Sequence, residues 1–320
     1  MTYTPGIQKY VEFAKRSVGQ LAGLTGLSLA QRRIRADNYA ELVREPYPED
    51  LEVRDTFIVL EGREIFARIY RPRSEKALPT VVYFHGGSFV AGSPQGHDFI
   101  TASIACNTGS QVVSVHYRRS PENPYPAAIQ DCYESLCWVA RESKILGVDP
   151  ERLAVAGDSA GGNLAAACAL LARDRNGPSL RMQVLIYPTL DADLKTESYL
   201  NNKRDAFLTS ELMEFALDAY LAGDLGTTDG YALPMRASDH ANLPSTVILV
   251  ADHDPLLDDG VRYREKLHRA GIEVELRIGK GLIHGFMRAR RFCPIVEGEF
   301  QAMCSSIRKA LDLPAPAYLW

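Results

Sequence analysis

The stretch Leu153-Ala154-Val155-Ala156-Gly157-Asp158-Ser159-Ala160-Gly161-Gly162-Asn163-Leu164, continued by Ala165, Ala166 and Ala167, constrains this chain more than any other. An apolar run of small residues enters Gly-Asp-Ser-Ala-Gly, and a helix-forming run leaves it. That order makes a strand, a sharp turn and a helix, with Ser159 at the apex. In this context G-x-S-x-G reads as a nucleophile elbow, in which the tight turn strains the serine and exposes its hydroxyl. An ordinary glycine-rich turn carries the same letters, and chance supplies them in roughly one chain of this size in ten. Ser159 therefore needs partners at places where the fold would bring them.

The remaining hydrophobic pattern supplies the fold. Residues 7–21 carry Ile7, Tyr10, Val11, Ala14, Val18 and Leu21 at helical spacing; Gly23 and Gly26 interrupt, and Leu29–Val43 reads as a second helix. Runs at 56–60 and 64–70, joined at Glu61-Gly62, look like an antiparallel pair. Further strand-like runs fall at 80–84, 111–115, 152–156, 182–187, 246–251 and 274–278, with helices expected at 98–107, 126–144, 160–173, 255–270 and 294–311. Eight strands alternating with helices from the third onward imply an α/β fold, a mostly parallel sheet covered on both faces. Residues 188–244 break the alternation and are too long for an ordinary connection. They hold a helix-like run from Thr209 or Ser210, either of which could cap it, to Leu221. The expected organisation is therefore N-terminal cap helices at 1–48, a catalytic domain at 49–187 and 245–320, and a cap insertion at 188–244.

Composition removes several classes of function. The 320 residues carry a formal net charge of −4, which gives no attraction to nucleic acid or an anionic membrane. Met1–Gln20 has no apolar core of signal-peptide length and no run is long enough to span a bilayer, so a cytoplasmic location is expected. Cysteines at 106, 132, 137, 168, 293 and 304 form no C-x-x-C pair, so reduced thiols are expected and a zinc site is not.

A serine hydroxyl needs a base, and the base needs an orienting group. With this elbow the order is serine, acid, histidine. His284, in Lys280-Gly281-Leu282-Ile283-His284-Gly285-Phe286, follows the last strand; His268 sits among charged residues, and His97, His116 and His240 follow no late strand. The acid should follow the seventh strand, where Asp252 and Asp254 both stand, Asp254 also being a plausible helix cap before Pro255. Three adjacent side chains at Asp252-His253-Asp254 diverge too far to hold a metal. The developing oxyanion needs backbone donors, and His85-Gly86-Gly87-Ser88-Phe89 after the third strand offers the Gly86 and Gly87 amides to converge with that of Ala160. Ser306 and Lys309 lie in the last amphipathic helix and read as a solvated face.

These motifs together resemble the hormone-sensitive-lipase-like branch of the α/β-hydrolases, the bacterial carboxylesterases with HGGG and GDSAGG motifs. The resemblance runs from about Thr80 to Arg288. It rests on His85-Gly86-Gly87, Tyr117–Ala128, Gly157–Gly162 with Asp158, Tyr187-Pro188, Asp254-Pro255-Leu256 and His284-Gly285-Phe286. It implies a Ser159–His284–Asp254 triad, which selects Asp254 over Asp252, and hydrolysis of small esters of short to medium acyl chains without a cofactor. It implies a two-part cap, and a homodimer through the last strand at Glu273–Ile278 is compatible with it. An amidase, deacetylase or lactonase on the same triad is the alternative, and a non-catalytic ligand-binding homologue a more distant one. The third loop glycine is Ser88 here, which bears on specificity. Phe89, Phe207, Phe215 and Met287 are the candidate pocket residues.

Overall fold

Apolar runs without polar alternation fit only strands covered on both faces. The computed structural model, which describes residues 2–18 and 27–315, places them accordingly. The strands are β1 (Leu51–Leu60), β2 (Arg63–Pro72), β3 (Leu78–Phe84), β4 (Gln111–Val115), β5 (Val148–Asp158), β6 (Leu180–Ile186), β7 (Ser245–His253) and β8 (Val274–Ile283). They form one eight-stranded sheet in the order β1-β2-β4-β3-β5-β6-β7-β8. β1 and β2 form an antiparallel hairpin, β2 pairs antiparallel with β4, and every other pairing is parallel. β3 and β4 are buried at every position. The hairpin is longer than its apolar runs because β1 alternates, leaving Phe57 and Val59 exposed on its outer face.

The helices are α1 (Pro5–Val18), α2 (Leu29–Glu41), α3 (Asp98–Thr108), α4 (Ala127–Arg141), α5 (Ser143–Leu146), α6 (Ala160–Asp174), α7 (Glu197–Asn201), α8 (Ser210–Leu221), α9 (Leu257–Arg269) and α10 (Pro294–Ala310). Adjacent residues of β3 serve opposite layers, as the strand period requires. Val81 and Tyr83 pack with α1, α3 and α10, whereas Val82 and Phe84 pack with α4, α6 and α9. The expected first helix begins earlier, at Pro5, and its remainder at Leu21, with Gly23 and Gly26, lies outside the described residues. The single helix expected at 126–144 is two, divided at Glu142.

Two arrangements position the site. First, β3 lies between β4 and β5, so the strand order reverses there, and a crevice opens at the carboxyl ends of β3 and β5. Phe84 pairs with Gly157, which brings the His85–Ser88 loop beside the turn carrying Ser159. Second, the N-terminal helices and residues 188–244 meet over that crevice. Tyr10 and Tyr39 lie against Phe207, each with ring centroids 5.4 Å apart, and the Arg32 guanidinium stands 4.2 Å over the Phe215 ring. Arg33 ties α2 to the body: Nε donates to the Val90 carbonyl at 2.8 Å and the fork grips both Glu122 oxygens at 2.7 Å. Of the two candidate caps of α8, Thr209 acts, accepting from the Leu212 amide at 3.2 Å. Met213, Leu217 and Tyr220 of α8 join the core of α4 and α6 rather than building one of their own.

Candidate active site

The elbow exists because two backbones nearly touch. A Cβ at Gly161 would stand 1.9 Å from the Phe84 carbonyl oxygen, and one at Gly157 would stand 2.2 Å from that of Gly161. Glycine at these positions lets α6 begin immediately against β3. Ser159 takes φ 55° and ψ −119°, a conformation that costs roughly 1–3 kcal/mol for a residue with a Cβ. Its amide donates to the Ile186 carbonyl at 2.8 Å, and its own carbonyl accepts from Gly162 at 2.9 Å, so β6 and α6 hold the turn from both sides.

His284, on the loop after β8, reaches both partners. Its Nε2 lies 3.1 Å from Ser159 Oγ and its Nδ1 lies 2.7 Å from Asp254 Oδ2. A proton on Nδ1 donated to the carboxylate leaves the Nε2 lone pair facing the hydroxyl, an assignment made from these distances. The helix-capping role expected of Asp254 is not met, because α9 starts later with Leu256 as its N-cap and no side-chain cap bond. The other Asp254 oxygen instead accepts the Leu256 amide at 2.8 Å, forming the turn that leads into α9. Asp252 points elsewhere and accepts the Gly281 amide at 2.8 Å. His268 is exposed on α9. Burial opposes a charged His284, but the charge and hydrogen bond of Asp254, with the charges of Asp205 and Asp158, outweigh it. The net effect holds the imidazole above its ordinary value.

The expected donor set is corrected at one position. The Gly86 amide already donates to Asp158 Oδ1 at 2.8 Å, so it is not free for an oxyanion. Among the described residues, the amides of Gly87, Ser88 and Ala160 donate to no protein acceptor, and Gly87 and Ser88 line the cleft beside Ser159. Asp158 is the hub of this loop. Oδ1 also accepts the Tyr83 hydroxyl at 2.8 Å, and Oδ2 stands 3.5 Å from His97 Nε2. Burial works against its charge, but His97, Arg288 and Tyr83 together hold the carboxyl well below the ordinary aspartate range. His85 steadies the loop from behind, stacked on Tyr117 at 4.4 Å with Nδ1 2.9 Å from the Gly86 carbonyl. Burial, first of all, keeps its imidazole well below the usual histidine value.

The cleft over Ser159 has a volume of about 160 Å³. Phe207 lines it; the other three candidate pocket residues do not. Phe89 is turned inward and stacked on Tyr220 at 3.8 Å, and Phe215 lies under Arg32. Met287 is buried in the layer against α1, α3 and α10. A ring or thioether near a motif in sequence says nothing about which side of the loop it faces, and here packing took all three. Tyr39, Leu208, Leu212 and Arg288 line the cleft instead. His97 and Arg288 carried no sequence signal, because their partner Asp158 is distant in the chain. Among the described residues no three histidine, cysteine or acidic side chains stand together as metal ligands, and all six cysteines are free.

A mostly parallel sheet with a serine turn after β5, an acid after β7 and a histidine loop after β8 is the arrangement of an α/β hydrolase. The chain belongs to the alpha/beta hydrolase fold family, whose model matches residues 81–288. It is 37% identical to the carboxylesterase NlhH of Mycobacterium tuberculosis over 89% of this chain and 90% of that one. It is 40% identical to the esterase LipI of the same organism, over 82% of each. A thermostable esterase from Pseudomonas putida superposes with a TM-score of 0.91 at 32% identity, covering 98% of this chain and 99% of that one.

Proposed function

We propose that this protein is a carboxylic ester hydrolase that works through an acyl-enzyme on Ser159. The single observation that carries the reading is His284 bridging Ser159 Oγ at 3.1 Å and Asp254 Oδ2 at 2.7 Å. His284 Nε2 takes the hydroxyl proton as Oγ attacks the ester carbonyl carbon. The amides of Gly87, Ser88 and Ala160 receive the oxyanion, and each such donor is worth roughly 10²–10³ in rate. The C–O bond breaks, and the leaving alkoxide takes the proton from His284. Water, deprotonated by the same nitrogen, then attacks the acyl carbon and releases the acid. Asp254 holds the imidazole and stabilises its charged form. None of these steps calls for a metal or an organic cofactor.

Walls of Phe207, Leu208 and Leu212 close over the serine support acyl chains of short to medium length. On this reading α1, α2 and residues 188–244 form the cap, supported by the Tyr10, Tyr39 and Phe207 contacts above. No described helix is long and apolar enough to cross a membrane. Ser159→Ala should lower kcat on p-nitrophenyl butyrate by at least about 10⁴, and the wild type should be labelled irreversibly by a fluorophosphonate. Undiminished turnover in the variant would sink the assignment, and absent labelling would favour a ligand-binding homologue. Faster turnover of a matched anilide than of its ester would move the reading to an amidase.

A further inference from the structure

One wall of the cleft over Ser159 is made by two adjacent residues that pack in opposite directions. The half-buried Phe207 ring lies against Tyr10 of α1 and Tyr39 of α2, and it lines both this cleft and the cavity beside it. Leu208 enters the core that α8 shares with α4 and α6. Neighbouring side chains that diverge in this way need a fixed backbone between them, and the loop from α7 to α8 has to provide it.

Asp205 fixes that backbone. Its side chain is buried, and Oδ1 accepts the Phe207 amide at 2.8 Å and the Leu208 amide at 2.9 Å. A single acceptor thus holds both wall residues, as an Asx turn does. Oδ2 is buried without a hydrogen-bond partner among the described residues, so the turn uses one oxygen only. The Asp205 amide donates to the Asn202 carbonyl at 3.1 Å, and Arg204 pairs with Thr209 across the loop. The other end of the loop is rooted beside Asp254. Asn202 Nδ2 donates to the Asp254 carbonyl at 3.2 Å, Ser198 Oγ to the Pro255 carbonyl at 2.6 Å, and the Ser198 amide to Asp258 Oδ2 at 2.8 Å. The wall and the carboxylate that orients His284 therefore stand on one stretch of backbone.

We propose that Asp205 is a positioning residue for the acyl group: through the amides of Phe207 and Leu208 it sets the wall along which any chain longer than acetyl lies when its carbonyl meets Ser159. The proposal rests on Ser159 hydrolysing esters, and it adds the residue that sets acyl-length selectivity from outside the cleft. Asp205 does not line the cleft and acts only through the turn.

The test compares kcat/KM on p-nitrophenyl butyrate and p-nitrophenyl acetate. Their ratio cancels the titration of His284, which both esters need equally. A fitted apolar wall discriminates one methylene by roughly tenfold or more, so the wild type should favour butyrate. Asp205→Ala, which removes the acceptor, should lower the butyrate-to-acetate ratio by about tenfold, chiefly by raising KM for butyrate. Asp205→Asn keeps an oxygen for both amides and should hold the ratio to within about twofold. Phe207→Ala removes the wall but not the turn and should reproduce the loss. Should Asp205→Ala not fold, Asp205→Ser, which can still accept one amide, should show the same loss in smaller measure. A wild type without preference for butyrate, or an unchanged ratio in Phe207→Ala or in the folded Asp205 variant lacking the carboxylate, would overturn the proposal. So would a loss in Asp205→Asn as large as in Asp205→Ala, or an equal loss on both esters. All of these leave ester hydrolysis standing, whereas a wild type that turns over neither ester would remove hydrolysis itself and the positioning role with it.

Discussion

Replacing Asp158 by asparagine isolates the positioning of the proposed oxyanion loop from the donors themselves. The side chain keeps its shape and one carbonyl oxygen, so the Gly86 amide and the Tyr83 hydroxyl, each 2.8 Å from Oδ1, retain an acceptor. The charge is lost. Hydrogen bonds to charged groups contribute about 1.5–3 kcal/mol and neutral ones about 0.5–1.5, so two weakened bonds amount to about 2 kcal/mol. That loss falls on the strap that holds Gly86 and, through it, the amides of Gly87 and Ser88. A full donor is worth roughly 10²–10³ in rate, and a slackened pair should cost about 10–100-fold in kcat with KM little changed. The acid limb of stability should change too. The folded pKa of Asp158 lies below the unfolded one, so its stabilising contribution is present above the unfolded pKa and is lost as pH falls. In Asp158→Asn that part of the acid limb should disappear. Steady-state kinetics on p-nitrophenyl butyrate and urea melts from pH 3 to pH 8 read both effects. A stability loss of the expected size with kcat unchanged would refute the positioning role. A rise in KM with constant kcat would refute it equally.

Other outcomes follow from the same electrostatics. The proposed mechanism requires neutral His284, so kcat/KM should rise with pH through a value above that of an ordinary histidine. Asp205, buried on the insertion with one oxygen accepting the Phe207 and Leu208 amides, is pushed up to about 7 by burial and by Asp254. Its charge raises His284, so Asp205→Asn should shift the acid limb of kcat/KM to lower pH; a shift upward would count against this account. Asp259, held up to about 8 chiefly by burial, accepts the Leu190 and Asp191 amides through one oxygen while the other has no partner among the described residues. Its folded pKa exceeds the unfolded one, so stability present below the unfolded pKa is lost as pH rises through about 8. Asp259→Asn should therefore gain stability over the wild type with rising pH in urea melts from pH 5 to pH 9, and a constant difference would contradict this.

The sheet was legible in the chain because local physics specifies it. Apolar runs such as Thr80–Phe84 can only be strands covered on both faces, and Gly157 and Gly161 flank a serine where no residue with a Cβ would fit. Which residues approach Ser159 was legible only as far as strand ends and a family resemblance could carry it, to Asp254 and His284. Tertiary structure decided the rest. It gave the Gly86 amide to Asp158, because the register of Phe84 with Gly157 sets that carboxylate under the loop. It turned Phe89 inward onto Tyr220, and it set the amides of Phe207 and Leu208 on Asp205 in a segment whose sequence carries no sign of that turn. A motif fixes backbone that must turn in one way. The direction of a side chain, and the partner of a buried donor, are set by residues far along the chain that pack against it.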